Sequence, residues 1–254
     1  MDHMAEPAIL DDQVSENETK NLLVFAYGSL CWKPGFTFNK AVLGRVKGYK
    51  RMFWQGNTTH RGTEEKPGRV ATLIEDSEAE VYGVAYSVQG ETALSYLSQR
   101  ECEQGGYISK FTDFHSSSGQ TLTVLLYIAT PKNPLWLGDA NVEEIAHQIT
   151  DCQGPSGHNV EYLIRLANFT RKFFPHHYDH HLYSLEEKVL AIIEINKLNL
   201  EKLMGFGEGC IAFRRKTDSR ESSPETIRRR NEERVETFEH TARVPGKKLR
   251  CLNI

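Results

Sequence analysis

Val24-Phe25-Ala26-Tyr27-Gly28-Ser29-Leu30 is an apolar run that stops abruptly at a Gly-Ser pair. From Leu22 to Tyr27 the β-branched and aromatic residues read as a buried strand, and Gly28 permits backbone angles that other residues resist. A strand that delivers such a turn can aim several backbone N–H groups at one point. There they bind a carboxylate or hold a carbonyl oxygen as it becomes negative. An ordinary turn has the same signature, so the meaning of this stretch depends on what the rest of the chain brings to it.

Downstream, residues 41–54 form a second β-rich stretch, and the polar segment 56–68 is long enough to be a functional loop. Residues 69–74 and 81–88 read as two strands joined by a turn at 76–79. A helix is expected over 91–103, with Leu94, Leu97 and Glu101 at spacings that put all three on one face; Gly105-Gly106 ends it. Strands resume at 107–115 and 121–130. Helices follow over 141–152, through Val160, Leu163, Ala167 and Phe174, and over 181–197, with Gly154-Pro155-Ser156-Gly157 as the break between the first two. The class is α+β, strand-built first and helical afterwards.

The ends differ from this middle. Residues 1–20 are acidic and polar and are expected to be disordered, 21–204 to be the folded domain, and 205–254 to be a basic, mobile tail carrying Arg214-Arg215-Lys216 and Arg228-Arg229-Arg230. Hydrophobic content of 39% agrees with part of the length being tail. A net charge of −3 gives no sign of nucleic-acid or membrane binding, and the Arg runs lack aromatic interleaving. The five cysteines are odd in number and scattered, with no Cys-x-x-Cys pair, against a disulfide framework or a zinc ribbon. The N-terminal residues lack a basic region followed by an apolar core, and no run approaches the ~20 apolar residues of a membrane span. Cytosol is the expected compartment, and the oligomeric state is left open.

Glu101 breaks a rule, because its register places a carboxylate on the leucine face. A carboxylate there either pairs with a cation or works as an acid or base in a site, and Arg100 beside it faces elsewhere on the helix. Cys102 lies off the apolar stripe, with no helix N-terminus or basic cluster to activate it as a nucleophile. His176 and His180 have a spacing that suits a metal if helical, but Pro175 makes the cluster a helix start, and a solvated start is the better reading. Cys251, four residues from the end behind Lys247-Lys248-Leu249-Arg250, has the place of a prenylated cysteine, but Asn253 is polar where that motif wants an aliphatic residue.

Taken together, the residues resemble the ChaC-type family of glutathione-specific gamma-glutamylcyclotransferases. The resemblance rests on Val24-Phe25-Ala26-Tyr27-Gly28-Ser29-Leu30-Cys31-Trp32-Lys33, Arg51-Met52-Phe53-Trp54-Gln55-Gly56, His60-Arg61-Gly62, Lys66-Pro67-Gly68-Arg69-Val70 and Val81-Tyr82-Gly83-Val84-Ala85-Tyr86. Further on come Arg100-Glu101, Gly105-Gly106-Tyr107 and Gly154-Pro155-Ser156-Gly157 with Glu161-Tyr162-Leu163, so that it spans about 22–195. It implies a gamma-glutamylcyclotransferase-like fold, a small β-barrel with flanking helices. It also implies conversion of glutathione to 5-oxoproline and cysteinylglycine, with no cofactor and no metal. Glu101 stands where that family has its catalytic acid/base, and Val24, Phe25, Ala26, Tyr27, Gly28 and Ser29 match its substrate-binding segment, which acts largely through backbone. Ala26 stands where close relatives commonly have glycine. The loop arginines Arg61 and Arg69 are candidates for the glycine carboxylate of the substrate.

Overall fold

A computed structural model of the chain describes residues 8–10, 22–88, 95, 97–99, 106–207 and 210–215. The apolar run forms strand β2 (Leu22–Ala26), and Val24 pairs antiparallel with Tyr86 on one side and parallel with Leu125 on the other. Tyr86 belongs to β4 (Gly68–Val88), which pairs antiparallel with β3 (Lys40–Asn57) from Lys40 opposite Ser87 to Asn57 opposite Gly68. Leu125 belongs to β6 (Thr121–Ile128), antiparallel to β5 (Ile108–Ser116), which returns to β3 through Arg45 opposite His115. The order β4-β2-β6-β5-β3 therefore closes back on β4 as a five-stranded barrel. Phe25, Tyr86, Phe114 and Leu126 are all fully buried, with the Phe25 and Phe114 rings 5.7 Å apart.

The turn expected at 76–79 is absent, and 68–88 is a single strand. Lys47 faces Glu80 and Tyr49 faces Glu75, so two steps along β3 match five along β4. The surplus residues of β4 bulge instead of reversing the chain, and opposite them Gly48 takes a left-handed φ of 82° that a side chain would resist. Such bulges increase local twist, which lets two strands of this length bend into a barrel wall.

The helical half packs outside. Helices α1 (Val142–Asp151), α2 (Asn159–Phe173) and α3 (His180–Ile195) lie against one another, and α2 lies against β4; a short α4 (Leu200–Met204) follows. Each of the first three begins on a side chain that accepts a backbone N–H: Asn141 from Glu144, His158 from Val160 and Asp179 from Leu182. The Gly154-Pro155-Ser156-Gly157 break is a small hairpin, β7 (Gln153–Gly154) and β8 (Gly157–His158). Of the helix expected over 91–103, only Ser95, Leu97, Ser98 and Gln99 are described; Leu97 is fully buried in the core.

Two strands lie in the segments that read as tails. β1 (Ala8–Leu10) runs parallel to β9 (Phe213–Arg215) and touches β3 at Leu10 opposite Ala41. Apolar burial holds them there, because Leu10, Cys210 and Phe213 are buried and Phe213 packs on Phe169, Phe173 and Tyr86. Among the described residues no helix is long and apolar enough to cross a membrane.

Candidate active site

The end of β2 delivers Tyr27 and Gly28 into a single tight turn, Ser29–Cys31. The Cys31 N–H donates to the Gly28 carbonyl (2.9 Å), and the Lys33 N–H to that of Ser29 (2.8 Å). The turn is anchored from three sides. Tyr86 Oη donates to the Leu30 carbonyl (2.8 Å), Tyr27 Oη donates to the Tyr127 carbonyl (2.6 Å), and the Ile211 N–H donates to the Trp32 carbonyl (2.8 Å).

This segment forms one wall of a partly open recess. Phe25, Ala26, Tyr27, Gly28, Ser29 and Leu30 line it, faced by Ala71 and by the tyrosines Tyr107, Tyr127 and Tyr162. Five of the six expected binding residues therefore meet at one place. Val24 does not line the recess: it is fully buried, its backbone paired on both sides within the barrel. Glu101 lies outside the described residues, as do Leu94, Arg100, Cys102 and Gly105; Leu97 before it is in the core and Tyr107 after it is on the recess wall.

The requirement for glycine at 28 has a different cause from the one the sequence suggests. Its φ of −124° is open to other residues, but a Cβ there would stand 2.7 Å from Tyr162 Oη. Tyr162, on α2, is held by the Ala71 N–H, which donates to its hydroxyl (3.1 Å), and by edge contacts with Trp32 and Phe53. Close approach to Tyr162 leaves no room for a side chain here. Ala26 lies opposite Val84, and the β4 neighbour Gly83 admits it: a Cβ on Gly83 would meet the Ala26 carbonyl oxygen at 2.1 Å.

The arginines expected at a substrate carboxylate are committed elsewhere. Arg61 Nη1 donates to Glu161 Oε2 (2.6 Å) and to the His158 carbonyl (3.0 Å), and Glu161 Oε1 also accepts from Arg165 Nε (2.7 Å). Arg69 donates to Gln148 Oε1 and to the carbonyls of Phe53 and Gly138. Both are buried and neither lines the recess, because a buried guanidinium needs partners for its donors and the fold supplies them. Cys31 beneath the turn is no nucleophile, since burial pushes its thiol up to about 12 against the lowering effect of Arg51.

His176 and His180 are exposed just before and at the start of α3, as a solvated helix start requires, while His177 and His181 pack inward. His181 Nε2 accepts the Phe53 N–H (3.1 Å), and His177 stacks on Tyr82 with centroids 4.2 Å apart. Among the described residues no group of three or more His, Cys, Asp or Glu is placed to hold a metal ion. His181 Nε2 and His158 Nδ1 each accept a backbone N–H, so each needs its lone pair, and burial lowers both pKa values below the ordinary histidine range. The unfolded chain then binds protons below about pH 6.5 that the folded chain refuses, so stability falls as pH drops through that value, by up to about 1.4 kcal/mol per pH unit for each group. The urea midpoint is expected to be lower at pH 5.5 than at pH 7.5, with a smaller difference in His181→Gln. Equal midpoints would contradict this account.

The same architecture is found in a solved yeast gamma-glutamyl cyclotransferase specific to glutathione, with a TM-score of 0.60 and 30% identity over 68% of this chain and 99% of that one. The barrel is therefore of the gamma-glutamylcyclotransferase fold. Residues 22–192 match the family model of ChaC-like proteins, and the chain belongs to that family. Glutathione-specific gamma-glutamylcyclotransferase 1 of Danio rerio is 49% identical over 178 residues, covering 68% of this chain and 91% of that protein. Its Homo sapiens counterpart is 47% identical over 180 residues, covering 69% and 81%.

Proposed function

We propose that this chain is a glutathione-specific gamma-glutamylcyclotransferase that cleaves glutathione to 5-oxoproline and cysteinylglycine. The observation that carries the reading is the recess at the end of β2, built by Tyr27-Gly28-Ser29 in a chain of the ChaC-like family, whose relatives bear that name. In the reaction the substrate's own α-amine attacks its γ-carbonyl, closing a five-membered lactam. The amide bond to cysteine breaks, and the leaving nitrogen takes up a proton. The products are together isomeric with what is consumed plus nothing else, so no co-reactant enters the balance.

Intramolecular attack gains when the folded-back pose is imposed, and effective molarities of about 10⁵ M or more measure how much. Imposing that pose is the role of the β2 loop. The α-ammonium must lose a proton and the leaving nitrogen must gain one, and we assign both transfers to Glu101 acting first as base and then as acid. The catalytic unit is assigned to 21–204, flanked by the acidic lead 1–20 and the basic tail 205–254. The reaction is placed in the cytosol, a reading supported by Cys31, Cys152 and Cys210 being free thiols.

The test is to incubate the purified chain with glutathione in competition with γ-glutamyl amino acids lacking the cysteinylglycine part, following products by mass spectrometry. 5-Oxoproline and cysteinylglycine from glutathione are expected to dominate. No 5-oxoproline would leave a binding protein, and preference for the other amides would move the substrate.

A further inference from the structure

Arg51, on β3, is 2% exposed and donates to three groups that come from three different elements. Its Nε donates to the Tyr27 carbonyl at the end of β2 (3.0 Å), and its Nη2 donates to the Tyr82 carbonyl on β4 (2.7 Å). Its Nη1 pairs with Asp179 Oδ2, 128 residues away at the start of α3. Asp179 is itself fixed, because its other oxygen accepts the Leu182 N–H at 3.0 Å as the cap of that helix.

A guanidinium buried this deeply is costly unless its donors are all used, and an apolar side chain would fill the same volume more cheaply. What an apolar residue could not do is orient a carbonyl. In a trans peptide the C=O and the following N–H point to opposite sides, so tying the Tyr27 carbonyl to Arg51 turns the Gly28 N–H away from Arg51. Gly28 lines the recess and Arg51 does not. Among the described residues the Gly28 N–H has no hydrogen-bond partner, while its carbonyl accepts from Cys31. A charge-assisted bond to the carbonyl also polarises the peptide, which strengthens the N–H as a donor.

We propose that Arg51 is a positioning residue for the reaction: by clamping the Tyr27 carbonyl it presents the Gly28 N–H to the γ-carbonyl oxygen of the substrate as that oxygen becomes negative. The proposal rests on the γ-glutamyl reading above and adds to it a residue that touches no substrate. Asp179 is the anchor that keeps the guanidinium in place, which ties the loop's readiness to the docking of α3.

Tyr-Gly occurs twice in the chain, at Tyr27-Gly28 and Tyr82-Gly83, and Arg51 donates to the tyrosine carbonyl of both. Labelling tyrosine carbonyls with ¹³C and glycine nitrogens with ¹⁵N therefore leaves two carbonyl-to-amide correlations, each reporting on one arm of the clamp. In Arg51→Gln and Arg51→Lys we expect the Tyr27-Gly28 correlation to shift and kcat for 5-oxoproline formation to fall about 100-fold, the scale of a lost oxyanion donor, with KM within threefold. A folded variant with unchanged kcat overturns the proposal, and so does a rise in KM with kcat kept, which would mark ground-state carboxylate binding. If neither variant folds, Asp179→Asn keeps the guanidinium and removes its anchor. The same shift and a smaller loss of kcat are then expected, and unchanged values overturn the proposal. A wild-type chain inactive on glutathione would instead defeat the γ-glutamyl reading, while the two correlations still report whether Arg51 holds the loop.

Discussion

Glu101→Gln is expected to keep the fold and bind glutathione while losing 5-oxoproline formation by a factor of about 10²–10⁴, the usual worth of a positioned acid/base. The change removes one ionisable group and almost no volume. Glutamine can accept and donate hydrogen bonds, so the γ-glutamyl group can still be held. It cannot take a proton from the α-ammonium and return it to the leaving nitrogen, and without that transfer the attacking nitrogen has no lone pair. Sequence spacing puts Glu101 on the helix face expected to carry Leu94 and Leu97, and taking and then returning a proton is the role assigned to it. Initial rates by mass spectrometry, binding by calorimetry and the fold by circular dichroism separate the cases. Turnover at the wild-type rate would remove Glu101 from the mechanism.

The largest effect on stability is expected at Glu161, whose carboxylate lies between two buried guanidiniums, Arg61 at 2.6 Å and Arg165 at 2.7 Å, all with side chains about 7% exposed or less. Arg61 comes from the long loop between β3 and β4, and Glu161 and Arg165 lie one turn apart on α2, so the triad pins that loop to the helix. Arg165 also donates to the Met204 carbonyl (3.3 Å) at the end of α4. Breaking a buried pair costs far more than the pair is worth, because the abandoned charge remains in a poorly solvating site. Glu161→Gln is therefore expected to lower stability by about 3–5 kcal/mol in urea unfolding. A loss under about 1 kcal/mol, the worth of an exposed pair, would show that water reaches the triad.

Much of this architecture is legible in the chain because it depends on local pattern. The run ending at Tyr27 has the composition of a buried strand, and Asn141 and the Gly154-Pro155 break mark helix boundaries at short range. The turn misplaced at 76–79 shows where local signals fail: its residues are turn formers, but the register of the partner strand decides whether the chain reverses or bulges. β1 and β9 are three residues each, too short for any periodicity, and they exist because of pairing between distant segments.

The site divides the same way. Gly28 is conspicuous in sequence, but its reason is Tyr162, from a helix far along the chain. Tyr107 and Tyr162 stand in motifs that the sequence offers and Tyr127 in an expected strand, yet nothing local distinguishes a tyrosine on a recess wall from one in the core. Arg61 and Arg69 read as loop cations for a substrate carboxylate, and Arg51 carries no local sign beyond its motif. Each is buried because a carboxylate, a glutamine oxygen or a backbone carbonyl meets it from elsewhere. Val24 stands in the same motif, but it is fully buried one residue deeper in the strand, with its backbone paired on both sides, and the recess is lined only from Phe25 onward.

The closure of the barrel bears on where another strand could pair with the sheet. A strand edge left open offers a row of unpaired backbone groups to another copy, and a closed ring removes that hazard from its own strands. Here the ring closes where β4 meets β2 over 84–88 and β3 meets β5 over 44–46, and beyond β3 the described sheet runs out at β9, three residues in length. So short a ledge is a poor template for a second chain, and the two terminal ribbons act as the hem of the sheet.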